Sequence, residues 1–127
     1  MKIAIIGLGL IGGSLGKALK NLGRTDLRII GIPRREETIK LALELGAIDE
    51  GTTDHLKGVG DADLVFVCTP INLVPEIIAE IAPRLKKGAI VTDGASSKYE
   101  VVARAEKALS KGTYFVGGHP LAGKETT

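Results

Sequence analysis

The chain has 127 residues, a length that suits a single domain with one hydrophobic core. Hydrophobic residues make up 44% of the chain and charged residues 25%, which is typical of a folded globular domain and excludes a largely disordered one. The net charge is +2 and no dense run of Lys or Arg is present, so nothing indicates a nucleic-acid partner.

The cysteine content and the apolar runs exclude several other classes. Cys68 is the single cysteine, so the chain has no internal disulfide, and no cluster of metal-ligand residues has the spacing of a metal site. The apolar runs have the length of strands, and no signal peptide or membrane span is recognisable. We therefore expect a cytoplasmic protein without a metal or a membrane partner.

A glycine-rich turn follows the first predicted strand, residues 3–6, and has the pattern G-x-G-x-x-G. Gly7 allows a sharp turn, Gly9 lets the backbone approach a pyrophosphate, and Gly12 lets the helix pack close to the strand. Glycines at such a corner can also serve packing alone. Because a strand precedes the turn and a helix follows it, the spacing predicts a dinucleotide site.

The predicted helix starts at about Ile11, after the second glycine of the turn. Free backbone N–H groups near Leu10 and Ile11, together with the positive end of the helix dipole, favour a diphosphate without a basic side chain. Leu10 and Ile11 are therefore predicted to bind the cofactor along with the three glycines.

Strands and helices alternate along the whole chain. Strands are predicted at residues 3–6, 27–32, 63–68, 89–92 and 113–116, with a short one near Ile48, and helices at about 11–22, 36–45, 73–85 and 101–109. A short helical turn through Leu56 and Lys57 is expected, with Thr53 or Asp54 as its cap. Continuous apolar strands alternating with helices predict an α/β fold, a Rossmann-type doubly wound parallel sheet with helices on both faces.

Apolar residues at helical spacing give each predicted helix a face for the sheet. In the first helix these residues include Leu22, and in the second Ile39, Ala42, Leu43 and Leu45 are available for burial.

The tip of the second strand indicates the type of cofactor. NAD-binding chains usually carry an acidic residue there that bonds the ribose 2′-hydroxyl, whereas here Pro33 is followed by Arg34 and Arg35. A guanidinium pairs well with a phosphate, so the sequence favours NADP over NAD. In the alternative interpretation, the two arginines are solvated residues that Glu36 and Glu37 partly neutralise.

Three residues follow the strand at 63–68 and are expected to flank the cofactor, because ligands of open parallel sheets bind beyond the carboxyl ends of the strands. They are Cys68, Thr69 and Pro70. Cys68 is interpreted as a small core residue rather than a nucleophile, since no basic group lies near it in sequence. His55 has no partner nearby in sequence and is expected to face solvent without a function.

Two later stretches collect polar residues at predicted strand ends. In the first, residues 93–98, Ser96 or Ser97 would cap the next helix, which leaves the other serine free beside Lys98. In the second, residues 117–123, His119 stands between glycines and a proline. Histidine titrates near neutral pH, so His119 is the candidate base for a hydroxyl proton.

Together these stretches resemble the nucleotide-binding domain of prephenate and arogenate dehydrogenases, the oxidoreductases of tyrosine and thus aromatic amino acid biosynthesis. The glycine turn is shared by many NAD(P) enzymes, but D-x-x-S-x-K at 93–98 and G-G-H-P-L-A-G at 117–123 are far more specific. The resemblance implies that His119 takes the proton of the substrate's ring hydroxyl, that Ser96 helps to hold this hydroxyl, and that Lys98 belongs to the same site. Ser97 replaces an apolar residue of the family, so Ser96 and Ser97 both stay candidates.

The resemblance further implies NADP-dependent oxidative decarboxylation of prephenate or arogenate. Residues 1–127 would form the NAD(P)-binding domain, and the family's helical domain, which supplies an arginine for the substrate carboxylate and most of the homodimer contact, would be absent from this chain. Two alternatives stay open. One is another NAD(P)-dependent dehydrogenase of the β-hydroxyacid dehydrogenase or imine reductase type, and the other is a non-catalytic NADP-binding module.

Overall fold

The computed structural model describes residues 1–93 and 113–116. In these residues the strands are β1 (Lys2–Ile6), β2 (Arg28–Ile32), β3 (Glu50–Gly51), β4 (Leu64–Val67), β5 (Ile90–Asp93) and β6 (Tyr114–Val116). The helices are α1 (Leu10–Lys20), α2 (Glu36–Glu44), α3 (His55–Val59) and α4 (Val74–Ile81). Short 3₁₀ turns precede and follow α4, at Ile71–Leu73 and Ala82–Arg84. The predicted helix at 101–109 lies outside the described residues.

The six strands form one parallel sheet in the order β3-β2-β1-β4-β5-β6. From β1 the chain winds outward through β2 to β3, then returns to the other side of β1 and continues outward from β4 to β6. The direction of winding therefore reverses between β1 and β4, which is where such sheets bind their ligands. The order confirms the predicted Rossmann-type doubly wound fold.

Alternating residues of the central strand β1 enter two separate cores. Ala4 and Ile6 pack on one face of the sheet with the buried side chains of α4, whereas Ile3 and Ile5 pack on the other face with Ala42 of α2. All four of these β1 side chains are buried, as expected for a strand that is covered on both faces. Helices therefore cover both faces of the sheet, as predicted.

The fourth helix is shorter than its apolar pattern predicted. It ends as an α-helix at Ile81 rather than near Leu85, and the chain continues as a 3₁₀ turn. Pro83 lies in that turn, and proline has no N–H for the helical hydrogen bond and clashes with the carbonyl four residues earlier. Leu85 still packs against the core, although not from a helix.

Three leucines that were expected to be buried are largely exposed. Leu22 follows the end of α1 and is 61% exposed, because the chain turns away at Gly23. Leu43 and Leu45 are 44% and 55% exposed, whereas Ala42 of the same segment is buried. The strand at this edge, β3, has only two residues, so it offers α2 a narrow surface to cover.

The start of α1 is held close to the end of β1 by Gly12. A Cβ atom added at Gly12 would lie 1.9 Å from the carbonyl oxygen of Gly7, a separation that no side chain can occupy. The next residue, Gly13, is on the same helix, but its added Cβ would lie 3.9 Å from the carbonyl oxygen of Leu8, which is ordinary contact. The close approach of helix and strand therefore requires glycine at one of these two positions only.

Gly12→Ala and Gly13→Ala form a matched pair that tests this contact. We expect Gly12→Ala to lower the free energy of unfolding by about 1–3 kcal/mol, because α1 must move away from β1. Gly13→Ala should raise it by up to about 1 kcal/mol, because alanine favours a helix interior over glycine. Urea unfolding followed by circular dichroism measures both values. Equal effects of the two substitutions would contradict the close contact at Gly12.

Candidate functional site

A cleft of about 510 Å³ lies at the carboxyl ends of β1, β2 and β4. We call it the glycine-turn cleft. Its lining comes from the glycine turn, the tip of β2, the first turn of α2, the start of α3 and the end of β4: Ile6, Gly7, Leu8, Gly9, Ile32, Pro33, Arg34, Arg35, Thr38, His55, Cys68, Thr69 and Pro70. This lining contains two arginines and no carboxylate, so the described wall of the cleft favours an anionic ligand.

The glycine turn forms one wall of the cleft. Gly7 has a φ of +91°, and its N–H donates to the carbonyl oxygen of Ile32 at 2.9 Å, which joins the turn to the tip of β2. A Cβ at Gly7 would lie 2.9 Å from the carbonyl oxygen of Cys68, so the turn also packs tightly against the end of β4. Gly7 therefore has the turning role that was predicted for it.

Gly9 precedes the first residue of α1 and borders open space. An added Cβ would have no atom within 4 Å, so the backbone at Gly9 is accessible from the cleft. No side chain caps the helix, and its first turn carries no acidic residue. The backbone N–H groups of the first turn, which begins at Leu10 and Ile11, are therefore available to an anion together with the positive end of the helix dipole.

The tip of β2 places two exposed arginines on the cleft. Pro33 directly follows β2 and is buried, while Arg34 and Arg35 are exposed. Neither guanidinium makes an ion pair with any residue that the structure describes, including Glu36 and Glu37. The alternative in which these glutamates neutralise the arginines therefore has no support in the described contacts, and both guanidinium groups can bind a phosphate.

The end of β4 contributes Cys68, Thr69 and Pro70 to the same cleft. Burial, together with the smaller effect of the negative charge of Asp93 at the end of β5, raises the pKa of the Cys68 thiol to about 11. The thiol is therefore neutral at physiological pH, as expected for a packing residue rather than a nucleophile. Thr69 contributes a hydroxyl whose oxygen is buried and has no hydrogen-bond partner among the described residues.

His55 is the functional candidate that sequence reasoning missed. It was expected to face solvent without a partner, but its side chain is only 25% exposed and it lines the cleft. Its Nδ1 lies 2.7 Å from Oε1 of Glu80, which is 25 residues away in sequence. The packing of α3 against α4 brings the two side chains together, and no local sequence signal could have indicated the pair. The cap of α3, in contrast, is Asp54, one of the two predicted candidates.

The predicted catalytic and substrate-binding residues, Ser96, Lys98 and His119, and the alternative Ser97 lie outside the described residues. Among residues 1–93 and 113–116 there is no group of three His, Cys, Asp or Glu side chains that could hold a metal ion. In the same part of the chain, no helix combines the length and the apolar character needed to span a bilayer.

The raised pKa of Cys68 predicts slow alkylation of the folded chain. The thiol keeps its proton until the pH approaches about 11, so the reactive thiolate is scarce at pH 8. We expect iodoacetamide to modify the folded protein at least about 100-fold more slowly at pH 8 than the urea-unfolded chain, whose thiol has an ordinary pKa of about 8.5. Because the chain has one cysteine, mass spectrometry reports on this site alone. A folded-state rate that reaches half its maximum near pH 8.5 would contradict the assigned environment.

Comparison with known proteins identifies the family. The family of the prephenate dehydrogenase nucleotide-binding domain matches residues 15–127. Prephenate dehydrogenase of Bacillus subtilis is 38% identical over 122 residues, which are 95% of this chain and 33% of that protein. The chain thus spans about a third of the length of this relative.

Solved structures of related enzymes are similar to this chain. The crystal structure of Synechocystis arogenate dehydrogenase has a TM-score of 0.84 and 38% identity, over 94% of this chain and 41% of that one. Prephenate dehydrogenase from A. aeolicus, in complex with hydroxyphenyl propionate and NAD+, has a TM-score of 0.83 and 36% identity, over 97% of this chain and 42% of that one. The sheet order, the glycine turn and these matches lead to one conclusion: the chain belongs to the family of prephenate dehydrogenase nucleotide-binding domains.

Proposed function

We propose that this chain is the NADP-binding domain of a dehydrogenase that oxidatively decarboxylates prephenate or arogenate in tyrosine biosynthesis. The choice of cofactor rests on the residues at the tip of β2. Arg34 and Arg35 line the cleft free of ion pairs with described residues, and Pro33 occupies the place where an NAD-binding chain usually has an acid. A ribose 2′-phosphate meets two cations there and no carboxylate.

The described residues fit a dinucleotide. The open space at Gly9 and the uncapped start of α1 accommodate a diphosphate, which needs close approach to backbone N–H groups. The arginines at the tip of β2 then bind the adenosine half. Cys68, Thr69 and Pro70, which line the cleft at the end of β4, would flank the nicotinamide half. In sequence, the stretches that follow β5 and β6 carry Ser96, Lys98 and His119.

We infer the following roles from the family resemblance. His119 accepts the proton of the substrate's ring hydroxyl, and Ser96, or Ser97 in its place, holds that hydroxyl beside the imidazole. Lys98, in the same D-x-x-S-x-K stretch, belongs to the substrate-binding residues. When bound, NADP supplies an acceptor for the hydride that leaves the ring carbon. Loss of carbon dioxide then makes the ring aromatic, so the protein's task is to position the two reactants and to supply the base.

The remaining parts of the site belong to a second domain in this proposal. The chain spans about a third of the length of the Bacillus subtilis relative. By the family resemblance, a helical domain in such enzymes binds the substrate carboxylate through an arginine. The same domain would hold most of the contact of a cytoplasmic homodimer. Residues 1–127 by themselves should therefore bind the cofactor but turn over substrate poorly.

The double substitution Arg34→Ala, Arg35→Ala tests the choice of cofactor. Removing two charge-assisted contacts to the 2′-phosphate should weaken NADP binding by about 2–4 kcal/mol and NAD binding by less than about 0.5 kcal/mol. Calorimetric titration with both nucleotides measures this difference. The control is Arg84→Ala, Lys87→Ala, which removes the same charge from exposed residues near the opposite end of the sheet. Equal losses of NADP and NAD in the first variant, or tighter NAD than NADP binding in the unchanged chain, would contradict NADP specificity.

The proposed reaction predicts a large effect of His119→Asn in a protein that joins this domain to the family's helical domain. Loss of the general base should lower kcat/KM for prephenate or arogenate by about 10²–10⁴-fold while NADP binding is retained. Steady-state NADPH formation, assayed beside a 3-hydroxy acid, measures the activity and its substrate class. Turnover of the hydroxy acid alone would favour the β-hydroxyacid dehydrogenase alternative, and nucleotide binding without turnover of any of these substrates would favour a non-catalytic module. Efficient turnover by residues 1–127 alone would contradict the need for a second domain.

A further inference from the structure

One ionisable side chain of the glycine-turn cleft has no role in the function proposed above. His55, the first residue of α3, shares the cleft wall with Arg34, Arg35 and Thr38. The neighbouring carboxylate of Asp54 accepts hydrogen bonds from the backbone N–H groups of Leu56 and Lys57, and is thus engaged in capping the helix. The described wall around the imidazole is therefore rich in cations and poor in free carboxylates.

The imidazole ring is held through one of its two nitrogens. Nδ1 lies 2.7 Å from Oε1 of Glu80 on α4, and because a carboxylate accepts, Nδ1 donates its hydrogen in this contact. Within the described part of the chain, Nε2 makes no hydrogen bond. A carboxylate that holds Nδ1 of a histidine fixes the orientation of the ring and thereby the direction of Nε2.

We propose that His55 is a specificity-determining residue that binds the ribose 2′-phosphate of NADP together with Arg34 and Arg35. In its imidazolium form the ring donates one N–H to Glu80 and the other to the phosphate, so that a cation lies between two anions. The proposal rests on the function proposed above and deepens it. It adds a third side chain, from a different structural element, to the arginine pair that follows β2.

The test compares ligands that differ only in the 2′-phosphate. NADP and NAD are titrated by calorimetry into the unchanged chain, His55→Ala and Lys57→Ala, and the same is done with adenosine 2′,5′-bisphosphate and 5′-AMP. Lys57→Ala is the matched control, because it removes an exposed cation from the same helix but outside the cleft. The two smaller ligands confine the measurement to the adenosine end.

We expect His55→Ala to weaken NADP and the bisphosphate by about tenfold, the effect of one partly solvated charge-assisted hydrogen bond, and NAD and 5′-AMP by less than about twofold. Lys57→Ala should change all four by less than about twofold. His55→Gln, whose amide can still donate a hydrogen bond but carries no charge, should fall between the unchanged chain and His55→Ala, and it carries the test if His55→Ala does not fold.

Three results would overturn the proposal. Equal weakening of NADP and NAD by His55→Ala would assign the ring to the adenine or to the packing of α3 on α4. An unchanged affinity for all four ligands would remove His55 from the site. If Lys57→Ala weakened NADP binding as much as His55→Ala does, the effect would come from the net charge of the protein and not from a contact of His55. Failure of the unchanged chain to bind either dinucleotide would instead overturn the proposed function itself, so the two failures are distinguishable.

Discussion

The contact between the backbone of α1 at Gly12 and the carbonyl oxygen of Gly7 is the constraint on which the site depends. Only a residue without a Cβ allows this approach, since an added Cβ would lie 1.9 Å from the oxygen. The contact fixes the start of α1 at the point where winding reverses between β1 and β4. It thereby brings an uncapped helix start, with its free N–H groups and positive dipole end, to the floor of the cleft.

Electrostatic selection in the cleft comes from two kinds of group. Backbone N–H groups of α1 favour a diphosphate, and the side chains at the tip of β2 add full positive charge. Nearby carboxylates are engaged elsewhere: Asp54 caps α3, Glu80 pairs with His55, and Glu50 pairs with Arg28. Because none of these three carboxylates lines the cleft, the described wall keeps a net attraction for phosphate.

The wall formed by the end of β4 differs in character from the tip of β2. Burial and the charge of Asp93 keep the thiol of Cys68 protonated, so this wall carries no charge beside the glycine turn. An uncharged wall suits the uncharged parts of a ligand, whereas the arginines suit phosphate groups. The cleft is thus charged at its β2 side and neutral at its β4 side.

Local sequence patterns were enough to predict the fold class, the glycine turn and the arginines' position after β2. Each of these features depends on residues that are adjacent in the chain or on the short repeat of apolar residues in helices and strands. Tertiary packing decided what those patterns could not contain. Leu43 and Leu45 are exposed because the two-residue strand β3 offers α2 only a narrow surface to cover. His55 contacts Glu80 because α3 packs on α4. The end of α4 before Pro83 could have been predicted from the sequence, because proline interrupts a helix locally. The prediction instead followed the apolar pattern, which continues to Leu85. Contacts between residues distant in sequence arise only when the chain folds, and for that reason the partner of His55 and its place in the cleft became apparent only in the structure.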